Sequence, residues 1–81
     1  MTQNIVREAI DKMFGGLVAV NIDEAFVSLA IEFLSNHSKE FLIHHEDGMY
    51  LASVWDEKQH ICEEDQILHL CLAKLVLKFS P

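Results

Sequence analysis

Glycine and proline are almost missing from this chain, with three of the first and one of the second among 81 residues. So little of either leaves no room for a Gly-rich phosphate loop, a low-complexity tract or an internal linker, and residues 1–81 read as a single domain. Cysteine is scarce as well. Cys62 and Cys71 form no Cys-x-x-Cys knuckle, which removes the strongest sequence sign of a zinc site. The start of the chain has no charged segment leading into an apolar one, so the expectation is an intracellular, cytoplasmic protein with reduced thiols. Positive charge is the third shortage. Six Lys and Arg stand against thirteen Asp and Glu, and the net charge of -7 repels nucleic-acid phosphates and anionic membrane surfaces. Direct nucleic-acid binding is excluded on that ground. Long apolar runs are also lacking: the longest, Ile67 to Phe79, is broken by Lys74 and Lys78 and falls short of the roughly 20 residues a membrane span needs. It reads as a core helix, and no membrane insertion is expected.

What the chain does have is apolar periodicity, in a composition that is 51% hydrophobic. Ile5, Val6, Ala9, Ile10, Met13 and Phe14 follow the spacing of one helical face, with Thr2 able to cap its start and Gly15 or Gly16 able to end it. A second helix is predicted from about Ile22 to Asn36, opened by Asn21 with Glu24 three residues on. Its polar stripe, Glu24, Ser28, Glu32 and Ser35, is narrow, so this helix needs cover on more than one side.

"EFLIHHEDGMYLASVW" then reads as a hairpin about a two-residue type I′ turn at Asp47-Gly48. That register pairs His45 with Tyr50, His44 with Leu51, Ile43 with Ala52 and Phe41 with Val54. Phe41, Ile43, Ala52 and Val54 form the core face, and Leu42, His44, Leu51, Ser53 and Trp55 the outer one. A short third strand is predicted at His60 to Cys62, followed by a final helix, "EEDQILHLCLAKLVLKFSP", with three acids in its first turn, two lysines towards its end and Pro81 as its stop. The fold class is α+β: helix, helix, hairpin, helix, with a two- or three-stranded antiparallel sheet packed on helices.

Chemistry is weakly signalled. His44 and His45 point to opposite faces of a strand, and Cys71 lies on the inward stripe of the last helix, so no metal or cofactor is expected. The acids and histidines at the hairpin tip lack a pocket that would separate their pKa values, and the expectation is a protein that is not an enzyme.

The stronger signal is an apolar surplus. Two of the three predicted helices are apolar around most of their circumference, more than so small a domain can bury, so the chain either dimerises or docks on another protein. Leu51, Trp55 and His44 on the outer sheet face, with Asp56, Glu57, Glu63 and Glu64 as an acidic rim, are the candidate partner-binding residues. A basic partner surface suits that rim. The alternative cover for the outer face is a helix of the same chain.

The run from "FLIHHEDGMYLASVW" through "EEDQILHLCLAKLVL" resembles the small α-β-β-α sandwich proteins of tailed bacteriophages. The resemblance covers the C-terminal half and carries over no catalytic residue. It implies an accessory phage protein, acting in the host cytoplasm by binding a protein: an inhibitor of a host enzyme or defence system, or an antiholin-type regulator of lysis. Two further readings of the residues stand beside it. One is an acidic decoy that mimics nucleic acid; the other is a metal- or small-ligand-binding module built on His60, Cys62 and His44 or His45.

Overall fold

The computed structural model describes residues 2–15 and 22–80. Among them the chain forms α1 (Thr2–Phe14), α2 (Ile22–His37), β1 (Glu40–Glu46), β2 (Met49–Trp55), β3 (His60–Asp65) and α3 (Leu68–Lys78). The strands make one antiparallel sheet in the order β1-β2-β3. This is the α+β architecture expected, with the elements in the expected order.

Local chemistry sets the boundaries. Gly15 ends α1 in the left-handed conformation, at φ 75°, and its N–H donates to the Asp11 carbonyl at 2.8 Å. Asn21, the expected cap of α2, and Pro81, the expected stop of the last helix, lie outside the described residues. Asp47 and Gly48 both have positive φ, 53° and 78°, as a type I′ turn requires. The hairpin register is the predicted one, from Glu46 opposite Met49 to Phe41 opposite Val54. A Cβ added at Gly48 would meet nothing within 4 Å, so Gly48→Ala isolates the backbone penalty. The expected cost is about 1–2 kcal/mol, read as a lower urea midpoint at unchanged slope.

The acid run corrects one expectation. Glu63, Glu64 and Asp65 do not open the final helix; they complete β3, which runs three residues further than predicted, and the helix starts at Leu68. Alternation decides it. Ile61, Glu63 and Asp65 pair across from Val54, Ala52 and Tyr50 on the core face. The two acids there are neutralised by α3: Lys74 Nζ lies 3.1 Å from Asp65 and 3.9 Å from Glu63, and Lys78 also pairs with Glu63. Inward charges on an edge strand also discourage pairing with a foreign strand.

α3 is the centre of the molecule. It lies against β2 and β3 on one side and against α1 and α2 on the other, so Leu70, Cys71, Leu72, Ala73, Leu75 and Val76 are all buried. The apolar circumference of this helix is therefore spent inside the chain. Phe26, Ala30 and Leu34 of α2, Val6, Ala9 and Ile10 of α1, and Phe79 complete the core. Lys12 of α1 donates to the carbonyls of Leu77, at 2.8 Å, and Phe79, placing a cation at the C-terminal end of α3 where the helix dipole favours it. Partial burial lowers the pKa of that ammonium.

Candidate functional site

The outer face of the sheet is the surface the fold leaves open: no described element packs over it. Period 2 and the two registers arrange its side chains in rows across the strands. Glu40, Trp55 and His60 form one row, Leu42, Ser53 and Cys62 the next, and His44, Leu51 and Glu64 the third. Leu42, Leu51 and Trp55 are 55%, 37% and 38% exposed, whereas Ser53, at the centre, is buried by its neighbours.

The predicted partner-binding residues separate on this geometry. His44, Leu51, Trp55 and Glu64 share the face. Asp56 and Glu57 sit at its end, in the β2–β3 turn, where Trp55 and residues 56–60 line a shallow open depression. Glu63 does not belong with them: its side chain turns inward, only 11% exposed, and spends its charge on Lys74 and Lys78. Leu42 was not among the predicted residues, although the hairpin register already puts it in this face opposite Ser53. Of the rim acids, Glu57 is paired with Lys39 at 2.6 Å.

Asp56 is held by its own turn. Its Oδ1 accepts the N–H of Lys58 at 2.7 Å and of Gln59 at 3.1 Å, and the bond from Lys58 is the main cause of a pKa below the ordinary carboxylate value. The Gln59 amide then ties this turn to the chain end, donating to the Ser80 carbonyl and accepting the Ser80 N–H at 3.2 Å. Asp65 likewise accepts the Ile67 N–H at 2.9 Å, which together with Lys74 lowers its pKa. Both carboxyls take up protons more readily in the unfolded chain, so the stability they contribute is present above the ordinary aspartate value of about 3.9 and is lost as pH falls through the lower folded values. The melting temperature is expected to drop on acidification below about pH 4, and Asp65→Asn to flatten that acid limb.

The histidines and cysteines distribute as follows. His45 stacks on Tyr50 at 4.3 Å, near the hairpin turn on the core-facing side. Cys71 is buried and its thiol donates to the Glu63 carbonyl at 3.3 Å; burial pushes its pKa up. Cys62 is exposed, with Sγ 3.5 Å from His60 Nε2, and the His60 ring meets Trp55 edge-on at 5.1 Å. His44 belongs to the far strand and its Nε2 faces Glu46 at 3.4 Å, so it does not join His60 and Cys62. Among the described residues no three His, Cys, Asp or Glu side chains gather closely enough to hold a metal ion. No described helix is long and apolar enough to cross a membrane.

No protein-family model matches the chain, and no curated protein or solved structure matches it.

Proposed function

We propose that this chain is a small acidic protein-binding regulator that works by occlusion, using the outer face of its sheet as the contact surface. One observation carries the reading: Leu42, Leu51 and Trp55 stand exposed together on a face that no described element covers. Isolated exposed apolar residues are ordinary, but an aromatic and two leucines grouped on a flat surface have the composition of an interface centre. Acids surround them, with Glu40 and Glu64 in the same rows and Asp56 and Glu57 at the turn. In a chain of net charge -7 such a rim favours a partner with a basic surface and speeds its approach.

The resemblance to phage sandwich proteins narrows the kind of regulator, towards an inhibitor of a host enzyme or defence system or an antiholin-type lysis regulator. A nucleic-acid decoy is less well supported, because Glu63 and Asp65 are neutralised by lysines of the same chain. The test is capture on immobilised protein: a partner retained by the parent chain must be lost with Leu51→Asp and Trp55→Ala.

A further inference from the structure

We infer that the free edge of β1 is a docking site for an extended segment of a partner protein, which joins the sheet as a fourth, antiparallel strand with basic side chains towards its two ends. The inference rests on the reading of the chain as a protein-binding regulator and extends its contact surface from the outer face to that edge.

In the order β1-β2-β3, each outer strand has one row of backbone groups that no other strand pairs. The type I′ turn decides which groups those are on β1. It closes with Glu46 and Met49 as a hydrogen-bonded pair, so alternate residues Glu46, His44, Leu42 and Glu40 spend their N–H and C=O on β2. His45, Ile43 and Phe41 turn theirs to the open edge.

The two edges of the sheet differ. On β3 the acids Glu63 and Asp65 face inward to Lys74 and Lys78, and Lys74 Nζ also donates to the Glu64 carbonyl at 2.8 Å. A foreign strand there meets charge and an occupied acceptor. β1 has none of these guards: it runs seven residues, Glu40–Glu46, with no proline, no lysine and no break in its register. Lys39, just before it, is turned away to Glu57 at 2.6 Å. The strand also leaves core surface to cover, since Phe41 and Ile43 are only half-buried whereas Val54 and Ala52 opposite them are fully buried. An added strand covers those two side chains and satisfies the row of backbone groups, the combination by which extended peptides join a sheet edge.

Charge selects the occupant. Glu40 and Glu46 stand exposed at the two ends of β1, and a cation directly opposite each makes a favourable cross-strand pair. A second copy does the reverse. β1 against β1, centred on Ile43, sets Glu40 opposite Glu46 at both ends, in two chains each of net charge -7. The fitting segment is therefore basic at its ends and apolar opposite Phe41, Leu42 and Ile43.

The probe is the end-capped peptide Lys-Thr-Thr-Val-Leu-Val-Lys, whose lysines fall opposite Glu46 and Glu40, titrated to millimolar concentration into the isotope-labelled full chain. Hydrogen exchange read residue by residue by NMR is expected to slow at least about tenfold at the Phe41, Ile43 and His45 amides. Leu42 and His44 should not change, because their N–H groups are already bonded to β2. Methylating the peptide nitrogens opposite Phe41, Ile43 and His45 removes its donors to β1 and weakens binding at least about tenfold; methylating those opposite Leu42 and His44, which point away, leaves binding within about twofold. Glutamate in place of both peptide lysines weakens binding severalfold, and more so at low salt. These changes are confined to the peptide, so the fold of the chain is not at risk. Unchanged exchange at millimolar peptide, equal binding of the two methylated peptides, or undiminished binding of the glutamate peptide overturns the inference. So does protection of the three amides in the peptide-free chain that fades on dilution, which marks a second copy as the occupant. Leu51→Asp, on β2 and one strand in from the edge, leaves peptide uptake unchanged, so its loss of partner capture tests the outer-face reading separately.

Discussion

Phe79→Ala is expected to destabilise the fold by about 3–5 kcal/mol, of the same order as the whole stability of a domain this size. Phe79 follows the last turn of α3, fully buried, with its ring edge-on to Phe33 of α2 at 6.3 Å and its carbonyl accepting from Lys12 of α1. One residue thus ties the three helices together, its ring packing on α2 and its carbonyl holding Lys12 of α1. Truncation leaves a cavity between elements that are fixed by the rest of the core, so the gap cannot collapse fully and the lost contacts are not replaced. Urea denaturation followed by circular dichroism should show a large fall in midpoint, with part of the population unfolded before denaturant is added. Phe14→Ala is the matched comparison. Its ring ends α1 at 46% exposure, outside the core cluster, and its loss is expected to cost less than about 1 kcal/mol. Equal effects at the two positions would contradict the packing described.

The elements that the sequence made legible are those whose boundaries are set by a few neighbouring residues. Asp47-Gly48 imposes both positive φ angles and so pins the register of every β1–β2 pair, which is why the inner and outer faces of the hairpin could be read in advance. Gly15 fixes the end of α1 in the same local manner. β3 was only partly legible, because its inward positions carry Glu63 and Asp65. Acids are tolerable facing the core only when Lys74 and Lys78, one helical turn apart on a later element, come across to meet them. Taken locally, "EED" before an apolar run looks like the first turn of a helix. The spacing of the two lysines was the available clue, and it depends on a tertiary contact.

The apolar surplus was likewise visible in amount but not in place. The all-round apolar character of α3 is absorbed by its central position, between sheet and helices, and needs no second chain. Part of α2 stays half-covered, with Val27, Ile31 and Phe33 packed against the core while still partly accessible. The open apolar side chains of the sheet are Leu42, Leu51 and Trp55. Periodicity put the last two on the outer face; whether a helix of the same chain lies over that face is decided by chain topology, which no period reports.

Leu51→Asp is expected to weaken partner binding by more than about 100-fold, and Trp55→Ala by about 30-fold or more, with little change in melting temperature. The magnitudes follow from what each change does at a closed interface. Removing a central aromatic anchor costs about 2 kcal/mol or more, and each 1.4 kcal/mol is tenfold in affinity. A carboxylate in place of Leu51 must in addition be stripped of water, in the same row as Glu64. Stability should be spared, since both side chains are more than a third exposed and neither belongs to the buried cluster. Phe14→Ala again serves as control, because it removes an exposed aromatic from a different surface and should leave binding intact. Raised salt should slow association without abolishing it: the acidic rim steers the encounter, whereas the apolar centre holds the complex. Proteins captured by the parent chain and by Phe14→Ala but lost with both face variants, identified by mass spectrometry, would establish the outer face as the contact surface. Capture that survives Leu51→Asp and Trp55→Ala alike would remove the face from the mechanism and move the search to the half-covered side of α2.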